Sequence, residues 1–241
     1  MKKTGIFKAM KLCMDYKKMN SPQREKLRSG RLNAVVNHAR NNSPYYNQLY
    51  KDVPHDFSLS DLPVTDKKSL MENWDNWVCD RTLKLTDVER FMENTSNIGS
   101  FYSKEYMVFT TSGSTGNPLV AVVDKNANNI MGGISACRSF ARKQDLIAFA
   151  KKKGKTIGVF ADGGFYLANS SVRNKLKTMP WKKKQVAVSS ALYPIDTIVK
   201  QLNDFQPAML GGYPSNLELL IDEVNEGRLN ISPVLIMTGG E

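Results

Sequence analysis

The spacing of apolar positions changes character near residue 104 of the chain. Before it, Leu32, Val35, Val36 and Ala39 recur at i, i+3, i+4 and i+7 after Ser21-Pro22, which predicts a helix with that face buried, ended by Asn41-Asn42-Ser43-Pro44. A second helix is expected from about Thr65, after Leu62-Pro63, with Leu70, Met71, Trp74 and Trp77 along its apolar side. These tryptophans read as core rather than as a ligand platform. Beyond residue 104, short apolar runs alternate with helical periods. Tyr106 to Phe109 and Leu119 to Val123 read as strands around a Ser/Thr/Gly loop, and Ile130, Ile134, Cys137 and Phe140 mark a helix. Thr156 to Phe160, Gln185 to Val188, Ala208 to Leu210 and Val234 to Met237 follow as strands. Between them lie helices near Val172 to Leu176, over Ile195 to Phe205, and after the capping-box sequence Ser215-Asn216-Leu217-Glu218. Continuous apolar strands separated by amphipathic helices imply an α/β fold: one largely parallel sheet from about residue 104, with helices on both faces, preceded by a mainly helical segment. Residues 1–103 are expected to pack on a core formed by residues 104–241.

Composition narrows this picture only slightly. The balance of 41% hydrophobic and 24% charged residues over 241 positions is that of a globular protein able to bury a core. Lys8 and Lys11 interrupt any signal-like apolar run after Met1, and no stretch reaches the roughly 18 to 20 apolar residues of a membrane span, so a cytoplasmic protein is expected. Cys13, Cys79 and Cys137 form no CxxC pair, and neither His38 nor His55 stands at a ligand spacing from them. Neither a disulfide framework nor a zinc site is suggested. The formal charge of +11 suits polyanionic partners, whether nucleic acid, anionic lipid or phosphate-rich small molecules, without choosing among them. Lys151-Lys152-Lys153 reads as a solvated helix end closed by Gly154. Trp181 beside Lys182-Lys183-Lys184 hints at a stacking surface.

The richest chemistry lies in Thr110-Thr111-Ser112-Gly113-Ser114-Thr115-Gly116-Asn117-Pro118. Small residues allow a sharp turn and close approach to a ligand, backbone amides can converge on phosphate oxygens, and the hydroxyls add donors. It is not a Walker loop, because no Gly-Lys-Ser/Thr follows and the next segment reads as a strand. Composition alone leaves a polar hairpin turn and a phosphate grip equally open.

The segment Thr111 to Pro118 resembles the phosphate-binding signature of adenylate-forming enzymes, Thr-Ser-Gly-Ser/Thr-Thr-Gly-x-Pro between two strands. Asn42 to Tyr46, Leu62 to Lys67, Leu202 to Pro207, Gly212-Tyr213-Pro214-Ser215 and Gly239-Gly240-Glu241 are similar, in the same order, to the phenylacetate-CoA ligase-like and capsular-polysaccharide branch. The resemblance spans nearly the whole chain and implies the amino-terminal part of an ATP-dependent, AMP-forming acid-thiol ligase. It implies that Thr111, Ser112, Gly113, Ser114, Thr115 and Gly116 hold phosphates, with magnesium reached through Thr115. It also implies that Tyr213, Pro214, Gly239, Gly240 and Glu241 border the nucleotide and acyl pocket. ATP, magnesium and coenzyme A are the implied cofactors, and a small carboxylate the implied partner.

Two departures qualify the resemblance. Leu119 stands where many relatives carry a lysine, and the family's catalytic lysine and ribose-binding acid are not found before Glu241. The expectation is therefore binding without appreciable turnover by these residues alone. The rival reading is a non-catalytic basic module that binds nucleotide or nucleic acid.

Overall fold

The computed structural model describes residues 4–111 and 118–240. Its amino-terminal part is helical: α1 (Ile6–Lys18), α2 (Ser21–Asn42), α3 (Pro44–Leu49), α4 (Lys67–Glu72), α5 (Trp74–Trp77) and α6 (Leu85–Glu93). Three short capping devices set the boundaries. Asn20 and Gln23 form a reciprocal capping box that starts α2. Buried Ser43 accepts from the Tyr46 amide to start α3 and donates to the Asn76 carbonyl at 3.0 Å, so the cap also ties α3 to α5. Asp66 caps α4 through the Ser69 amide.

The single helix expected from Thr65 is two, broken at Asn73, whose side-chain amide donates to the Ser69 carbonyl and competes with the helix ladder. The apolar face of α2 is also only partly covered. Val36 is buried as expected, whereas Val35 is 60% exposed among the described residues.

The strands divide into two sheets. β1 (Phe101–Tyr102), β2 (Tyr106–Thr110) and β3 (Val120–Asp124) form an antiparallel ribbon with Thr110 opposite Val120. This corrects the expectation of one parallel sheet from residue 104: residues 111–119 are too few for the crossover that parallel pairing requires. Asp124 then caps α7 (Lys125–Arg138), which is followed by α8 (Lys143–Lys151). Lys153 and Gly154 both take positive φ and close α8, the helix end expected there.

The second sheet is the parallel one. β4 (Thr156–Phe160), α9 (Leu167–Thr178), β5 (Val186–Ser190), α10 (Ile195–Phe205), β6 (Met209–Gly212), α11 (Pro214–Asn225) and β7 (Leu235–Thr238) give spatial order β5-β4-β6-β7, all neighbours parallel. Right-handed crossovers put α9 on one face and α10 and α11 on the other. Ile157, Val159, Ile198, Val199, Leu202, Leu210, Leu220 and Leu229 form the core beneath α10 and α11. α11 begins at Pro214 rather than at a Ser215 cap, with proline supplying the preset φ of a first helical residue. A second core gathers Trp74, Leu83, Val88, Ile98, Val108, Val120 and Phe165, and so joins the helical part to the ribbon and to the β4–α9 connection.

Candidate functional site

In a parallel sheet every strand delivers its chain to the same edge, and the order β5-β4-β6-β7 makes successive connections leave in opposite directions from β4. The crossover to β5 departs on one side, while β6 lies on the other. The gap between the carboxyl ends of β4 and β6 is therefore a topological switch point, where open α/β sheets bind ligands.

Four segments meet at this edge. After β4 comes Ala161-Asp162-Gly163-Gly164, after β5 Ala191, after β6 Tyr213, and after β7 Gly239-Gly240. The Ala161 amide donates to the Tyr213 hydroxyl at 3.4 Å, so the phenol bridges the switch point. Gly239 donates to the Gly212 carbonyl at 3.3 Å, which extends the β6–β7 pairing by one residue. Gly240 has φ 83°, and a Cβ there would sit 3.5 Å from the Tyr213 ring. Glycine is required for the conformation more than for the space. At Gly163 and Gly239 a Cβ would meet nothing within 4 Å, so the edge is open beside the tyrosine.

The β4–α9 connection is rigidly held. Fully buried Asn169 donates to the carbonyls of Asp162 at 2.6 Å and Gly164 at 2.9 Å, and its Oδ1 accepts from Arg173. Buried Ser190, at the end of β5, donates to the Asp162 carboxylate at 2.7 Å. The same connection anchors the ribbon: Thr110 donates to the Phe165 carbonyl at 2.9 Å and pairs in parallel with Tyr166. The ribbon thus delivers Thr111 next to the switch-point edge. Thr111 and Leu119 close the base of the hairpin, the Thr111 amide donating to the Leu119 carbonyl at 3.1 Å and the Leu119 amide to Thr111 Oγ1 at 3.0 Å.

Of the residues singled out in the sequence, Tyr213, Gly239 and Gly240 come together, and Thr111 roots its loop against the β4–α9 connection. Ser112, Gly113, Ser114, Thr115, Gly116 and Glu241 lie outside the described residues, and with them the expected magnesium contact at Thr115. Among the described residues no cluster of three or more His, Cys, Asp or Glu side chains could hold a metal. Asp162, Ser190 and Asn169 went unnoticed in the sequence. The available signal was Asp162-Gly163-Gly164, one residue beyond the apolar run Thr156 to Phe160. None of the described residues in the four strand-end connections, Ala161–Tyr166, Ala191–Pro194, Tyr213 and 239–240, is lysine or arginine.

The architecture is shared with a solved structure. A crystal structure of an open conformation of 2-hydroxyisobutyryl-CoA ligase in complex with 2-HIB-AMP and CoA superposes with a TM-score of 0.53 at 20% sequence identity. The match covers 88% of this chain and 45% of that one. The two chains share a fold. This chain spans less than half of that ligase, and the likeness at such identity speaks to architecture. No family model and no curated protein matches the sequence. No helix among the described residues is long and apolar enough to cross a membrane.

Proposed function

We propose that the switch-point edge between β4 and β6 binds ATP and a carboxylate as the amino-terminal part of an adenylate-forming ligase. The observation that supports this most is the convergence of Tyr213, Gly239 and Gly240 with the root of the Thr111 to Pro118 loop on one edge of the parallel sheet. In this reading the Tyr213 ring and the glycines beside it border the adenine and acyl groups, and the loop amides with Ser112, Ser114 and Thr115 grip the phosphates. Magnesium would be held by phosphate oxygens and Thr115. A carboxylate oxygen attacks the α-phosphorus, the new O–P bond forms as the bond to pyrophosphate breaks, and acyl-adenylate results. A thiol such as that of coenzyme A would then take the acyl group and release AMP. Support for both nucleotide and thiol comes from the fold neighbour, which was solved with an acyl-AMP and CoA. We place the activity in the phenylacetate-CoA ligase-like branch, in aryl-acid or envelope-polysaccharide metabolism in the cytoplasm, with residues 1–103 as the supporting segment and 104–241 as the nucleotide-binding unit.

Phosphoryl chemistry of this kind gains its rate from charge neutralised in the transition state. With no lysine or arginine in the strand-end connections, residues 1–241 alone should hold nucleotide without appreciable turnover. Thermal unfolding tests the binding: MgATP should raise the transition temperature with the logarithm of its concentration above Kd, the added stability reaching about 2.7 kcal/mol at a hundredfold excess over Kd. Ser114→Asp should abolish the shift while the unliganded transition stays put. The absence of any shift at millimolar MgATP, or an unchanged shift in Ser114→Asp, would sink the reading. Carboxylate-dependent ATP–pyrophosphate exchange across aryl and alkyl acids then identifies the substrate, and robust exchange by residues 1–241 would contradict the expected dependence on a further cation.

A further inference from the structure

Far from the switch-point edge, the first two helices and α7 enclose a cavity of about 510 Å³. Its floor is where α1 crosses α7. A Cβ at Gly133 would lie 2.6 Å from the Ala9 Cβ and 2.8 Å from the Ile6 carbonyl, so the helices approach as closely as glycine permits. Cys137 Sγ donates to the Met10 carbonyl, and Lys17 donates to the Cys137 carbonyl at 3.1 Å, fixing the pair along their length. The thiols of Cys13 and Cys137, remote in sequence, interact across this crossing, and burial followed by that neighbour raises the Cys137 thiol above its ordinary range. α2 returns over the floor after a turn at Met19. Arg24 holds it there by donating to the Lys17 carbonyl and lying 5.2 Å above the Tyr16 ring.

The cavity lining is sharply divided in chemistry. Ala9, Leu12, Cys13, Leu27, Ile130 and Ile134 supply an apolar trough, in which Leu12 and Ile134 remain 44% and 37% exposed. Arg28, Arg31 and Arg138 stand around it, and no aspartate or glutamate lines it among the described residues. Arg28 is paired with Glu25 at 3.1 Å, whereas Arg31 and Arg138 have no carboxylate partner among the described residues. A guanidinium left without a carboxylate beside an apolar trough matches a ligand that carries both missing parts, since its planar fork accepts a carboxylate in two parallel hydrogen bonds. The size is that of a site for one small ligand.

We propose that this cavity is a second binding site, separate from the nucleotide edge, for a free single-chain aliphatic carboxylate. The chain lies in the trough between α1, α2 and α7, and the head group meets Arg31 and Arg138. The inference does not rest on the proposed ligase chemistry, and nucleotide binding can fail without touching it.

Isothermal titration of the 241-residue protein with dodecanoate, below its micelle-forming concentration, tests the proposal. One-to-one binding is expected, at least tenfold tighter than dodecanol or dodecyltrimethylammonium. R31E/R138E should weaken it at least tenfold. I134W should weaken it too, by filling the trough without altering charge. Both sites are exposed at the rim or partly so, and an unchanged thermal transition in each variant confirms folding. Saturating MgATP should leave the dodecanoate affinity unchanged. Equal affinity for dodecanol, an unaffected R31E/R138E, or competition by MgATP would each overturn the proposal. So would binding to phosphatidylglycerol vesicles with none to free dodecanoate, which would mark a membrane-facing surface instead.

Discussion

The two hydrophobic cores are built by opposite strategies. The one beneath α10 and α11 draws every member from residues 157–229, out of consecutive strand and helix units. The one around Trp74 draws on residues 74–165, bringing a helix, the antiparallel ribbon and the β4–α9 connection together across long sequence separations. The first core positions the candidate site by aligning the strand ends. The second determines where the Thr111 to Pro118 loop is rooted, because Phe165 belongs to that core and its carbonyl receives the Thr110 amide.

The sharpest way to break this comparison is to empty each core in turn. Trp74 is 2% exposed and its Nε1 donates to the Val120 carbonyl at 2.8 Å, so Trp74→Ala removes a large side chain and orphans a buried carbonyl. It should cost about 3–5 kcal/mol, against about 2–5 kcal/mol for Leu202→Ala in the other core. Because α9 touches both β2 and the parallel sheet, denaturant unfolding of either variant should remain a single transition. Two separated transitions would show that the cores are independent.

Gly99 offers a finer cut, at the seam between them. Its φ is 76°, and an added Cβ would lie 2.5 Å from the Asn174 amide nitrogen and 2.7 Å from the Arg173 carbonyl carbon, both backbone atoms of α9. Its carbonyl also accepts from Asn174 Nδ2 at 2.9 Å. Gly99→Ala should destabilise by about 1–3 kcal/mol and broaden the unfolding transition, since α9 must shift away from the seam. A change within error of zero would mean that the seam carries no coupling.

Local devices should have smaller effects. Ser43→Ala removes the α3 cap and the bond to the Asn76 carbonyl, with an expected loss of about 1 kcal/mol by urea denaturation. The ribbon also carries an acid-sensitive contact: Tyr106 donates to Asp80, and this bond, followed by those from Thr82, holds the Asp80 carboxyl below its ordinary range. Burial, then Asp80, raises the Tyr106 phenol. A depressed carboxylate contributes stability in full above the ordinary carboxylate value of about 3.9, and loses it as pH falls from there through the folded-state value. Transition temperatures measured from pH 7 to pH 2.5 should therefore fall less steeply in Asp80→Asn than in the parent. Identical slopes would remove Asp80 from the acid response.

The difference between the cores is also the difference in what the sequence disclosed. The strand runs at Thr156, Gln185, Ala208 and Val234 were legible because parallel strands are written as continuous apolar runs, and each helix between them announces its own buried stripe. The Trp74 core has no such local signature. Helical spacing predicted a covered face for α2, yet coverage depends on distant partners that spacing cannot show, and Val35 stays 60% exposed among the described residues. The antiparallel ribbon was misread as part of one parallel sheet, although the short connection at residues 111–119 already ruled that out. In the candidate site, Tyr213, Gly239 and Gly240 were legible only through resemblance, since nothing in their local pattern says that β4 and β6 are neighbours. Asp162 and Ser190 escaped because their pairing joins the ends of two strands 28 residues apart in the chain.

The most direct measurement is a crystal structure of this protein grown with a non-hydrolysable ATP analogue and magnesium. Density for the base is expected against the Tyr213 ring and Gly240, with the phosphates reaching residues 111–118 beside the β4–α9 connection. A well-occupied nucleotide bound elsewhere, such as on Trp181 and Lys182–Lys184, with the β4–β6 edge empty, would contradict the assignment of that edge as the nucleotide site.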